Sequence, residues 1–302
     1  MNRGKYITVI LSLLLSFVLL TGCGQQAKTA DDAAAKDQSI KIGGSSTLAP
    51  TVAKCADDFT EKYKTWNNVD PSFSEEPIII FVSTGGSGFG VKATTEGTVD
   101  IGLAARDIKD TEKEKMPNGK IYKLGTDALT IAVNPKNPVL QVKPDITTEE
   151  VKKIFAGEIS AWKQLDERLP DRPIIVAVRD LGGGASQVFD ELVMKGTPIA
   201  KEAIQIPSMG ALAVKVMENA DAIGYVSTGM VTQNEGKIGV LSVEGVAPTT
   251  ENISSGNYKI ARPLLIFTKD EPDKQLKFFI DYLMSEKGLQ VVEEMGFIPA
   301  AK

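Results

Sequence analysis

Three segments of this chain share one design: an apolar run, a loop of Gly, Ser and Thr, and then a helical pattern. They are "IKIGGSSTLAP" (40–50), "IIIFVSTGGSGFGVKA" (78–93) and "IIVAVRDLGGGASQVF" (174–189). A strand that turns tightly into a helix and recurs in this way specifies an α/β fold with largely parallel strand pairing. Each loop also places unpaired backbone N–H groups and small hydroxyls at a helix N-terminus. Such a place carries partial positive charge and suits an anion. The same pattern also describes ordinary helix caps. Arg106 in "GLAARD" and Arg179 in "RDLGGGASQ" are candidate charged donors, because a planar guanidinium donates in pairs to a tetrahedral oxyanion.

The apolar runs expected as strands are "IKIGG", "PIIIFVS", "VDIGLA", "ALTIAVN", "PIIVAV", "AIGYVS" and "RPLLIFTK". Between them, Leu48, Val52, Cys55, Phe59 and Tyr63 recur at helical spacing after Ser45 and Ser46, which are cap candidates. Thr147 and Glu150 form a capping box. Val188, Phe189, Leu192 and Val193 stripe the helix after the glycines, and residues 276–292 form a last amphipathic segment. No internal repeat is visible. With 302 residues, 42% of them hydrophobic and 24% charged, the chain has globular composition and length for two domains.

Several function classes drop out. The chain has no histidine, which excludes Ser-His-Asp and Cys-His catalysis and His-ligated zinc. A formal net charge of −5 with no long basic run argues against nucleic acid as a partner. Residues 88–93, "GFGVKA", fit the dinucleotide pattern G-x-G-x-x-A. No Gly-Lys-Ser/Thr follows a glycine run, and Ser87 does not stand in a G-x-S-x-G elbow. Neither a cofactor nor a metal is expected.

The first residues set the location. Arg3 and Lys5 precede an uncharged apolar run, and "LTGC" closes it at Cys23. The run is shorter than a membrane span needs and reads as a signal peptide over residues 1–22. "LTGC" resembles the bacterial lipobox, which implies lipidation of Cys23 and anchoring to the outer face of the cell membrane. A nicotinamide cofactor is not expected there. Residues 23–38 then form a lipidated start and a polar, Ala-rich tether. With Cys23 acylated, Cys55 has no disulfide partner and is expected as a small buried hydrophobe.

The stretches "IGGSSTLAP", "GGSGFGVKA", "VDIGLAAR", "IAVNPKNP", "ITTEEVKKIFAGEISAWKQL", "VRDLGGGASQVF", "AIGYVS" and "YKIARPLLIFTK" together resemble the phosphate-binding lipoproteins of bacterial phosphate ABC transporters. The resemblance runs over nearly all of residues 39–302. It implies a type II periplasmic-binding-protein fold: two α/β lobes joined by a two-crossover hinge, with the ligand cleft between them. The lobes would be residues 39–126 plus 259–302, and residues 127–258. It further implies a monomeric, non-enzymatic receptor that captures inorganic phosphate and delivers it to permease subunits of an ABC importer.

Carried over position by position, the resemblance assigns ligand binding to Ser46, Thr47, Leu48, Ser87, Arg106, Arg179, Gly183, Gly184, Ala185 and Ser186. Ser46 would donate its hydroxyl, Thr47 its N–H, and Gly183 and Gly184 their N–H groups, with Arg179 as the clamp of the second lobe. Relatives use serine and threonine where this chain has Gly183 and Ala185, and some use aspartate where it has Ala105. These departures open two alternatives: a receptor for another tetrahedral oxyanion of the sulfate, molybdate or tungstate type, or a signalling lipoprotein with weakened anion binding.

Overall fold

The computed structural model describes residues 39–301; the expected signal segment, Cys23 and the tether lie outside the described residues. Eleven strands form among the described residues: β1 (Ile40–Gly44), β2 (Ile80–Thr84), β3 (Ile101–Ala104), β4 (Ile121–Val133), β5 (Asp145–Ile146), β6 (Ile175–Arg179), β7 (Ile204–Ile206), β8 (Ala222–Ser227), β9 (Gly239–Val243), β10 (Ala261–Phe267) and β11 (Ile298–Pro299). Their order is β2-β1-β3-β10-β4-β8-β6-β7, with β9 and β11 also pairing β4. β1 lies parallel to β2 and β3, and β6 parallel to β7 and β8. The expected parallel pairing holds for these sets and for the short pair β5 and β9. β10 runs antiparallel to β3 and β4, and β4 antiparallel to β8.

β4 is longer than the run "ALTIAVN" predicts. Its first part pairs with β10 and its last five residues pair with β8. One strand thus belongs to two sheets and crosses between two lobes, and β10 makes the return crossing. Two large hydrophobic cores flank the crossing. One is built from residues between Ala128 and Ile260, the other from Ile40–Leu124 and Leu264–Phe297. The two-lobed α/β architecture that the resemblance implies is present.

Each lobe repeats a strand order, β2-β1-β3-β10 in one and β7-β6-β8-β4 in the other. A tryptophan turn also recurs. Trp66 N–H donates to Glu76 O at 2.9 Å and Trp162 N–H to Arg172 O at 3.0 Å, and bridges join Thr65 to Pro77 and Ala161 to Pro173. Both indoles are fully buried. The sequence reading saw no repeat because little beyond Trp and Pro-Ile-Ile is shared between the two copies.

The helices follow expectation except at two places. The stripe from Leu48 forms the helix Ala49–Tyr63, and the Thr147–Glu150 capping box is made, with Glu150 N–H on Thr147 Oγ1 at 3.1 Å. The last amphipathic segment, however, is two helices, Lys274–Leu283 and Glu286–Glu294, because Ser285 accepts from Gly288 N–H and starts the second. After the glycines, the helix Gly184–Phe189 runs into a π-turn, Asp190–Met194. The extra residue in that turn shifts the stripe, so Leu192 is 38% exposed while Val193 and Met194 are buried. Cys55 is buried as expected, and burial pushes its thiol up to about 12.

Aromatic packing fixes the base of the second lobe. Phe189 stacks on Tyr225 at 4.2 Å and meets Phe155 at 4.7 Å between ring centroids. Phe189→Ala removes the middle ring of this set and is expected to lower stability by about 3–5 kcal/mol. Urea unfolding followed by circular dichroism checks the loss.

Candidate functional site

The three Gly/Ser/Thr loops meet where the lobes face each other. In the first, Ser45 Oγ accepts from the N–H groups of Thr47 and Leu48 at 3.3 and 3.4 Å, so Ser45 closes the turn into the helix. Leu48 is driven into the first lobe's core, with no surface exposed. Ser46 is left facing the second lobe. Its Oγ accepts from Arg179 Nη1 at 3.0 Å and from Met209 N–H at 3.2 Å. In the second loop Ser87 opens the helix Ser87–Glu96, and its Oγ accepts from Ala105 N–H at 3.1 Å.

The third loop explains its glycines. None of Gly182, Gly183 and Gly184 has a positive φ, so close approach is the reason where there is one, at Gly184 and Gly183; a Cβ at Gly182 would meet nothing within 4 Å. Gly88 N–H donates to Gly182 O at 3.3 Å, and a Cβ at Gly86, itself at φ 86°, would stand 2.7 Å from that carbonyl. A Cβ at Gly184 would collide with Ser87 Oγ. At Gly183 a Cβ would lie 2.9 Å from Arg179 Nη2. Bare backbone therefore lets the two lobes touch across the cleft and lets the guanidinium lie over its own loop. The amides of Gly184, Ala185 and Ser186 open a helix, where the first N–H groups have no intrahelical partner.

Three buried arginines surround these loops, and each has one carboxylate. Arg179 Nη2 meets Asp180 at 2.9 Å, Arg106 Nη1 meets Glu112 at 2.8 Å, and Arg262 Nη2 meets Asp127 at 2.7 Å. Arg179 is further fixed by Ile206 O on Nε and Pro207 O on Nη2, and its backbone N–H donates to Tyr225 Oη at 2.9 Å. Burial raises the Tyr225 pKa, against the opposing donors Arg179 N–H and Ser186 hydroxyl. Burial also works against the Glu112 carboxylate, but the hydrogen bonds from Arg106 and the Lys109 N–H outweigh it and the net shift is downward.

The structure thus brings together Ser46, Ser87, Arg179, Gly183 and Gly184. It treats the other expected residues differently. The Thr47 N–H points to Ser45, and the Thr47 hydroxyl instead faces the hinge, accepting from Arg262 Nη2 at 3.1 Å. Ala185 is buried in the second lobe's core, so it reaches the cleft through backbone alone. Arg106 has both terminal nitrogens committed, Nη1 to Asp107 O and Glu112 and Nη2 to Glu112, and only its buried Nε is unpartnered.

Sequence reasoning missed Arg262, Asp127, Tyr225 and Met209. A signal for the first two was available: Arg262 is the single charge of the strand "ARPLLIF", and Asp127 is the single charge of "LGTDALTIAV", the part of β4 after Lys123. The dinucleotide reading of residues 88–93 falls, because these residues lie inside the helix Ser87–Glu96 and not in a loop before one. Gly90 there packs on Gly44 Cα and Leu103 O, where a Cβ would not fit. Among the described residues no helix is long and apolar enough to cross a membrane, and no cluster of acidic or cysteine side chains could hold a metal.

The sequence pattern of the PBP superfamily domain matches residues 28–287. The phosphate-binding protein PstS of Bacillus subtilis is 30% identical over 96% of this chain and 93% of its own length. PstS of Staphylococcus epidermidis is 28% identical over 99% of this chain and 90% of that relative. Among solved structures, a phosphate ABC transporter substrate-binding protein of Clostridium perfringens, with bound phosphate, aligns with a TM-score of 0.75 at 30% identity, covering 87% of this chain and all of that one (100%). An ABC-type phosphate transport receptor of Vibrio cholerae aligns with a TM-score of 0.67 at 27% identity, over 86% and 100% of the two chains. The fold, the loop chemistry and relatives matched over nearly the full length agree: the chain belongs to the PstS family of phosphate-binding proteins, within the PBP superfamily.

Proposed function

We propose that this chain is an extracytoplasmic receptor that captures inorganic phosphate between its lobes and delivers it to the permease subunits of an ABC importer. It acts without catalysis, as a monomer, held to the membrane by lipid on Cys23. The moving parts are residues 39–126 plus 259–302 and residues 127–258. One observation carries this reading: the Ser46 hydroxyl of the first lobe and the Arg179 fork of the second meet at hydrogen-bond distance. Ser46, Thr47 and Ser87 each accept from a protein donor, namely Arg179 and Met209 N–H, Arg262, and Ala105 N–H. Their own protons are thereby left for an acceptor in the cleft.

An anion there takes hydrogen bonds from those hydroxyls, from Arg179, and from the amides of Gly184, Ala185 and Ser186 at the helix start. The Arg106 Nε, buried and unpartnered, is a further donor beside the second loop. Exclusion of water on closure strengthens each bond. A second reading, a receptor for a sulfate-type anion, is favoured by a specific feature. The carboxylates beside the site, Asp127, Asp180 and Glu112, are committed to arginines, and Ala105 stands where some relatives have an aspartate. A bound anion that keeps a proton therefore meets, among the described residues beside the site, carboxylates already paired with arginines.

Isothermal titration of anion-stripped protein decides between the readings: phosphate in the micromolar range or tighter supports the first, and sulfate binding at least as tightly supports the second. Arg179→Ala is expected to weaken phosphate about tenfold or more, the loss of a charge-assisted hydrogen bond of ~1.5–3 kcal/mol; an unchanged dissociation constant removes Arg179 from the clamp. Gly184→Ala sets a methyl group against Ser87 Oγ and is expected to weaken the same titration while leaving the urea midpoint of the anion-free protein close to wild type. Cys23→Ala in the full chain is expected to abolish labelling by radioactive palmitate and to shift the protein from the membrane fraction to the medium.

A further inference from the structure

The ion pair between Arg262 and Asp127 stands where the two crossing strands meet. The residues are direct partners in the β4–β10 register, and their side chains are 1% and 0% exposed. Arg262 Nε and Nη2 both donate to Asp127 Oδ2, at 2.9 and 2.7 Å. The rest of the fork points to the first lobe: Nη2 to Thr47 Oγ1 at 3.1 Å and Nη1 to Ala105 O at 3.3 Å. Asp127 points to the second lobe. Its Oδ1 accepts from both the N–H and the hydroxyl of Thr228, at 3.0 and 2.8 Å, where the helix Thr228–Gln233 begins.

Burying such a pair does little for stability, because desolvation offsets the attraction between the charges. Its position is more informative. By donating to Thr47 Oγ1, Arg262 uses the oxygen's lone-pair side and turns the hydroxyl proton elsewhere. By holding Ala105 O it also steadies the segment whose N–H donates to Ser87 Oγ. Two hydroxyls of the anion site are therefore set by one side chain rooted on a crossing strand. The partner of that side chain is fastened to the other lobe.

We propose that Arg262, braced by Asp127, is a positioning residue that ties the donor orientation of Thr47 and Ser87 to the way β4 and β10 cross, so that lobe closure and anion capture are one event. The inference rests on the phosphate-receptor reading. A rotation that opens the cleft changes the crossing and loosens the fork from Thr47 and Ala105. By linkage, an anion that needs those hydroxyls favours the crossing that sets them.

Two variants test it. Arg262→Lys keeps the charge and loses the fork. Thr228→Val removes only the hydroxyl on Asp127, at a residue assigned no contact with the anion. Titration is expected to show phosphate weakened at least tenfold by Arg262→Lys and at least threefold by Thr228→Val, with Thr228→Ser restoring it. Small-angle scattering is expected to show less compaction on phosphate addition in both variants. Wild-type phosphate affinity and compaction in both would overturn the proposal, and so would a lowered urea midpoint with unchanged phosphate affinity, which marks a structural role alone. If the wild-type protein binds no phosphate, the functional reading fails first. The inference is then judged without ligand by a double-mutant cycle in urea: Thr47→Val and Thr228→Val, which share no contact, shift the midpoint non-additively if the pair couples them and additively if it does not.

Discussion

The cleft depends on two antiparallel strands, β4 and β10, crossing between the lobes with a buried guanidinium and carboxylate facing each other at the crossing. A charge in that place is costly unless it is paired and hydrogen-bonded. Arg262 and Asp127 meet that condition by reaching outward, to Thr47 and Ala105 on one side and to Thr228 on the other. The need to satisfy two buried charges is what connects the crossover to the loops of the site.

The same logic governs the local electrostatics. Each buried arginine near the cleft is matched by one carboxylate, so the region is close to neutral despite its density of charge. An anion held here is stabilised by oriented donors more than by excess positive charge. This suits a chain of net charge −5, since the binding power comes from preorganised N–H and O–H groups and does not need a basic surface. The glycines complete the arrangement. At Gly86 and Gly184 a side chain would hold the lobes apart, and only bare backbone allows the donors of both lobes to reach one small ligand.

Much of this was legible in the chain itself. β1 and β8 fall where the apolar runs lie, β6 lies within two residues of its run, and the Ala49–Tyr63 stripe and the Thr147 capping box form as read. Arg179 beside three glycines was an anion signal from the start. The misses have physical causes. The strand β4 extends beyond its apolar run because its first part is held by β10, a partner more than a hundred residues away. The π-turn at Asp190–Met194 moves Leu192 out of a stripe that assumed regular helical geometry. Arg106 is not a miss of this kind: Glu112, six residues further on, holds its two terminal nitrogens, and its Nε remains a candidate donor.

The sequence alone determined the alternation of strands and helices, the glycine-rich loops at helix starts, and the exclusion of imidazole chemistry. These follow from local periodicity, backbone freedom and composition, which need no knowledge of neighbours. Only the tertiary structure decided which arginine serves which partner, which way each hydroxyl is turned, and why Gly184 is bare. Those properties arise where segments distant in the chain come within a few ångströms, and a hydrogen bond is fixed by both of its ends.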